Sequence, residues 1–134
     1  MTAHNTYRFS IIQGELEIRS CDSGLVTWRG KPNGIDVIDI FPILGAQSCI
    51  VLLDWRVSEQ LQEKNLLRLD PFGKIVWVIG NPGPRPIEPI GSKVEIYTGV
   101  TSFSNQNIHV YTGSGYSDSV DILTGEIIDS VFVK

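Results

Sequence analysis

At 134 residues the chain has the size of a single domain, 1–134, and on folding can bury about two-thirds of its unfolded surface, enough for a core without covalent staples. Hydrophobic residues make up 42% and charged residues 19%, a globular composition that excludes disordered and collagen-like classes. Eleven scattered Lys and Arg against fifteen Asp and Glu give a net charge of −4, which argues against nucleic acid as a partner; mild acidity suits solubility and would also steer a basic protein partner.

The chain opens with "MTAHNTYRF", which lacks the basic segment and apolar run of a signal peptide, and no apolar run approaches the roughly 18 residues of a membrane span. A soluble cytoplasmic protein is the expectation. Short β-branched and aromatic runs separated by Gly, Pro, Asn, Asp and Ser then predict about ten strands. In chain order they are 7–12 (YRFSII), 15–19 (ELEIR), 25–29 (LVTWR), 36–41 (DVIDIF), 48–55 (SCIVLLDW), 65–70 (NLLRLD), 74–79 (KIVWVI), 93–99 (KVEIYTG), 107–112 (NIHVYT) with 119–123 (SVDIL), and 126–133 (EIIDSVFV). Only 57–64 (VSEQLQEK) has helix-forming composition, with Ser58 available as N-cap and Glu59 in the first turn, so one short helix or ordered loop connects two strands there. "KIVWVI" and "SCIVLLDW" are apolar on both faces and read as covered strands, whereas "EIIDSVFV" is mixed and reads as nearer an edge. After Ile79, Pro82, Pro84, Pro86 and Pro89 exclude a central strand and predict an extended connector; the PxxP pattern beside Arg85 is better read as part of that connector than as a ligand for an SH3-type domain. The fold class is therefore all-β, mostly antiparallel, a sandwich or small barrel of about 8–10 strands.

A turn device recurs. Residues 22–28 (DSGLVTW), 70–77 (DPFGKIVW) and 121–129 (DILTGEIID) each place an Asp before a turn closed by Gly, then a strand with Val26, Ile75 or Ile127 two residues after the Gly. Trp28 and Trp77 stand four residues after it; in the third copy that position is Asp129. Asp can accept bonds from turn N–H groups, Gly supplies positive φ, and the returning strand faces its bulky residues to the core. These segments resemble the D-x-x-G-x-x-x-W hairpins of quinoprotein-type β-propeller blades, and those of small bacterial all-β proteins, some of which resemble immunity proteins that neutralise a toxin. The resemblance covers about a quarter of the chain, implies no cofactor, and does not extend to a closed propeller, which needs several four-stranded blades.

Chemistry is sparse. Cys21 and Cys49 lack CxxC spacing and read as buried free thiols, with a single disulfide as the alternative. His109 shares a strand face with Tyr111 and reads as structural; neither it nor His4 has a zinc-binding companion. Asp36 and Asp39 point to opposite faces, which disfavours the paired carboxylates of a glycosidase, and Asp118, Asp121 and Asp129 are explained by turn chemistry better than by a cation. No metal, cofactor or catalytic motif emerges, so the expectation is a non-enzymatic bacterial protein that binds another macromolecule, in its sharpest form an immunity protein occluding a basic toxin. Asp54, Trp55, Arg56 and Glu59, where a buried strand runs into the most polar connector, are the candidate binding residues. The alternative is a small-ligand or carbohydrate binder using Tyr97, Phe103, Tyr111 and Tyr116 around a barrel mouth. An exposed edge strand also makes a homodimer conceivable.

Overall fold

The computed structural model describes residues 6–43, 45, 47–81 and 95–133. These form eleven strands and one α-helix in the order β1 (Tyr7–Ile12), β2 (Glu15–Ser20), β3 (Val26–Gly30), β4 (Val37–Ile43), β5 (Ser48–Leu53), α1 (Trp55–Leu61), β6 (Leu66–Leu69), β7 (Ile75–Val78), β8 (Tyr97–Phe103), β9 (Asn107–Thr112), β10 (Tyr116–Asp121) and β11 (Ile127–Phe132). The strands pair antiparallel in three meanders: β1-β2-β3, β4-β5-β6-β7 and β8-β9-β10-β11. The all-β, antiparallel class is thus as the sequence indicates, in layered form. Strands are more numerous than expected because 107–112 and 116–121 are separate members of one sheet. The prolines at 82, 84, 86 and 89, and the first two residues of the run 93–99, lie outside the described residues.

Three sheets give two cores, and the middle sheet belongs to both. Phe9, Leu16 and Ile18 of the first sheet meet Cys49, Val51, Leu53, Leu67 and Leu69 of the middle one. On its other face Ile50, Leu52, Leu66, Trp77 and Ile79 meet Tyr97, Ile108, Val110, Val120 and Ile122 of the third. β5 therefore sends alternate residues into different cores, and every one of its positions is buried. That is the covered strand its continuous apolar run predicts. β7 is different: it is an edge strand, with Trp77 buried but Ile75, Val76 and Val78 respectively 40%, 50% and 42% exposed. Its apolar run "KIVWVI" does not mark coverage on both faces, because the first sheet does not reach past β6 to cover it. β11, read as near an edge, is one.

The repeated hairpins are the joints of the stack. In each, one extra residue bulges immediately before the Trp position: Thr27, Val76 and Ile128 are skipped by the registers Ile18↔Trp28, Arg68↔Trp77 and Ser119↔Asp129. Each Trp then lies across the turn glycine of the next sheet. A Cβ built on Gly73 would fall on the Trp28 indole, and one on Gly125 would fall on the Trp77 indole. The Trp77 indole N–H donates to Ile122 O at 2.8 Å and Gly80 N–H to Gly125 O at 2.9 Å, while Thr27 Oγ1 donates to Pro71 O, so each joint is also hydrogen-bonded. The turns depart from the sequence reading in one respect. Asp70 and Asp121 accept bonds from turn N–H groups, as expected, but in the first hairpin that role falls to Ser20, which accepts from Ser23 N–H, and Asp22 is an exposed residue inside a five-residue turn. Gly24 N–H bonds Ser20 O as Gly125 N–H bonds Asp121 O, which fixes the equivalence.

Gly24, Gly73 and Gly125 all have φ between +72° and +78°, but among the described residues nothing lies within 4 Å of a Cβ at Gly24. Gly24→Ala therefore costs only the left-handed backbone penalty, about 1 kcal/mol. Gly73→Ala and Gly125→Ala add displacement of an indole and should cost about 1–3 kcal/mol more, read as the difference in urea midpoints at constant m.

Candidate binding surface

β5 ends at Leu53, and Asp54 turns the chain into α1. Its backbone is non-helical, its carboxylate accepts Arg56 N–H at 3.0 Å as an N-cap, and its own N–H donates to Asp36 O at 2.8 Å. The cap is thus Asp54, not Ser58, and the helix begins at Trp55 rather than at 57. Ser58 is fully buried inside the helix, and Val57 packs on the first core. The helix closes where Gln62 adopts φ 55° and Glu63 N–H reaches back to Ser58 O at 3.0 Å. Asn65 then ties the connector down: its side-chain amide donates to Leu53 O and Tyr97 O and accepts from Tyr97 N–H.

With Val57 and Ser58 turned inward, positions 55, 56 and 59 share the solvent side. Trp55 is 38% exposed, and Arg56 and Glu59 are exposed. The Arg56 guanidinium bonds both Asp54 carboxylate oxygens at 3.3 Å. That pairing, followed by the backbone N–H bonds of the cap, holds the Asp54 carboxyl below its usual range despite the opposing effect of burial, and it raises the Arg56 pKa. The structure therefore brings Asp54, Trp55, Arg56 and Glu59 together around one capped helix start. A lowered folded-state pKa means that the carboxylate's stabilisation is complete above the unfolded value and fades as pH falls through the folded one. Asp54→Ala should cost about 0.5–2 kcal/mol at neutral pH, and the cost should shrink below about pH 4, measured by denaturation of both proteins across pH.

The four aromatics of the alternative surface are not brought together. Tyr97 and Tyr116 are core residues, 1% and 3% exposed. The Tyr97 hydroxyl donates to the fully buried Asp118 at 2.7 Å, which also accepts from Ser130, and Tyr116 packs edge-on against Phe132. Phe103 packs on the second core against Phe41, with centroids 5.6 Å apart. Tyr111 lies on the opposite face of the third sheet, where its ring fills the space left by Gly99. The barrel mouth that would have joined them is replaced by a layer boundary.

The remaining candidates also separate. His109 lies beside Tyr111 on the outward face, within 3.4 Å of Ser119 Oγ. Asp36 pairs with Lys31, while Asp39 accepts from Ile40 N–H. Asp118 faces the core, Asp121 serves the turn, and Asp129 is exposed. Among the described residues no group of three His, Cys, Asp or Glu side chains is placed to hold a metal ion, and no helix is long and apolar enough to cross a membrane. Both cysteines are free; Cys49 is buried as expected but Cys21 is exposed, because it sits in the five-residue turn. Burial pushes the Cys49 thiol up to about 12. A disulfide reagent at mildly alkaline pH should therefore label one thiol, Cys21, in the native chain and the second only after unfolding; rapid labelling of both would contradict this.

Two surfaces were not singled out by sequence reasoning. The outward face of the first sheet is charged: Arg19 pairs with Glu17 at 3.0 Å, Arg29 with Glu15 at 2.8 Å and with Glu17 at 3.7 Å. The outward face of the third carries His109, Tyr111, Ser117, Ser119, Asp129 and Val131. The alternation of Glu15, Glu17 and Arg19 with Leu16 and Ile18 was the available signal for the first.

No protein-family model matches this chain, and no curated protein sequence matches it. Solved structures do share its architecture. BamB from Moraxella catarrhalis aligns with a TM-score of 0.60 at 12% identity, covering 94% of this chain and 33% of BamB. The computationally designed Ika8 protein gives 0.61 at 12% identity, covering 99% and 36%, and the WD40 beta propeller domain of Doa1 gives 0.52 at 12%, covering 91% and 38%. The chain is propeller-like in fold, and it spans about a third of the length of each of these structures.

Proposed function

We propose that this chain is a non-enzymatic protein-binding module whose contact surface is the first turn of α1. The observation that carries the reading is Trp55, a large aromatic left 38% exposed while its helix is fixed at one end by the Asp54 cap and anchored through Val57. Exposed aromatics on rigid elements, flanked by charges, are what interface hot spots are made of. The propeller-like fold is compatible with such a scaffold. In its sharper form the module is of immunity type, acting in the bacterial cytoplasm and occluding the active surface of a basic toxin. The net charge of −4 would speed that encounter, Glu59 would meet a cationic group, and Trp55 would fill an apolar pocket. The carbohydrate-binding alternative loses support with the burial of Tyr97 and Tyr116.

Affinity capture from a bacterial lysate, followed by titration of the captured protein, tests this. A basic partner should bind, and Trp55→Ala with Glu59→Lys should weaken it at least tenfold, or about 1.4 kcal/mol, without lowering the melting temperature. A partner indifferent to both changes, or stabilisation by a glycan in a thermal-shift panel instead, would sink the reading.

A further inference from the structure

The joints between sheets follow one rule, and the two ends of the stack show where it stops. Trp28 covers Gly73 and Trp77 covers Gly125. By register and by bulge, Asp129 is the third member of the Trp28–Trp77 series, and it is exposed. At the other end Gly24 is the turn glycine that no indole covers. One more application of the same sheet-to-sheet step would set Asp129 over a turn glycine, and the surroundings of Gly24 suit a carboxylate rather than an indole. Arg8, Arg19, Ser20 and Cys21 line a recess with Gly24. Moreover, Arg8 and Arg19 are direct cross-strand partners on the outward face of the first sheet; Glu17 already meets Arg19 at 3.0 Å, and a second carboxylate seated between the two guanidiniums would further offset their like-charge pairing.

The faces behind these residues match in character. Ser117, Ser119 and His109 line one; Glu17, Arg19 and Arg29 line the other. Of the six edge strands among the described residues, all but the regular β1 are poor templates for pairing. β3, β7 and β11 carry their bulges, β4 skips Ile38 and contains Pro42, and β8 skips Thr98 and Thr101.

We propose that the third sheet of one chain packs on the first sheet of a second copy, with Asp129 seated between Arg8 and Arg19, so that the stack continues from chain to chain and closes into a head-to-tail ring. This association is heterologous, of the kind that forms a ring when its rotation closes, as the blades of a propeller do. It does not depend on the α1 surface, which takes part in neither joint.

The 134-residue chain should sediment at a whole multiple of its monomer mass at low ionic strength and dissociate as salt rises. Asp129→Arg should weaken self-association at least tenfold, and adding Arg8→Glu to it should restore the oligomer, which a folding defect could not do. Under a glutathione disulfide buffer, Asp129→Cys should form an intermolecular disulfide between the introduced thiol and the exposed Cys21. A chain monomeric at millimolar concentration, an oligomer unchanged by Asp129→Arg, or cross-links only from Cys21 to Cys21 would each overturn the proposal, the first meaning that something other than a second copy covers these faces.

Discussion

An indole laid over a glycine is the contact on which the rest of this fold depends. Antiparallel meanders can stack at many rotations, since apolar faces attract without direction. The turn glycines at 73 and 125 remove that freedom, because there, with no Cβ in the way, an indole of the neighbouring sheet can lie against the backbone, and the Trp77 N–H bond to Ile122 O fixes its orientation. The one-residue bulges at Thr27 and Val76 aim the rings, since without them Trp28 and Trp77 would point to the other side of their sheets. Turn, bulge and ring are therefore one device, and losing any part frees the sheet-to-sheet angle.

The middle sheet shows what that device demands of sequence. Being covered on both faces, β5 has no polar position to give, and "SCIVLL" reads as a continuous apolar run. Arg68 is the exception near it. It replaces the aliphatic expected opposite Trp77, donates to Ser48 Oγ and Ile122 O, and is partly buried. Burial lowers its pKa, but from a value so far above neutrality that the guanidinium stays charged, and its bonds run from the middle sheet to the third. Asn65 makes a comparable polar link from the middle sheet to the third, pairing with Tyr97 as a strand would. The second core is thus directional as well as apolar.

These facts explain which features were legible in the sequence. The strands, the antiparallel class and the repeated hairpin are local, and "DPFGKIVW" states its turn, its glycine and its tryptophan in eight residues. What covers a strand is not local. "KIVWVI" and "SCIVLL" look alike, yet one lies at an edge and the other between two sheets, because coverage depends on how far the neighbouring layer extends. The tyrosines failed for the same reason: Tyr97 is buried because Asp118, 21 residues away, offers its hydroxyl a partner inside the core. Ser20 replacing Asp22 in the turn was hidden because the acceptor stands four residues before the glycine, as Asp121 stands before Gly125, whereas Asp22 stands only two before Gly24, and Asp54 outcompeted Ser58 as cap because strand β5 delivers it first. The candidate binding residues, lying within six positions around that cap, were the part of the site that local reasoning could group.

The polarity of the terminal layers follows from the same physics read outward. Along the positions that face the next layer, Leu16, Ile18 and Trp28 become Leu66, Arg68 and Trp77, and then Ser117, Ser119 and Asp129. The first sheet inverts the pattern, with its apolar side inward and Glu15, Glu17, Arg19 and Arg29 outward. An apolar layer at either end would adhere to any hydrophobic surface, since the attraction is not directional. Charged and hydroxylated layers cost desolvation unless each group meets its complement, so they admit a neighbour only at a matching register. At the third-sheet end, the residue that takes the place of a third tryptophan, Asp129, is thus itself part of the polar layer.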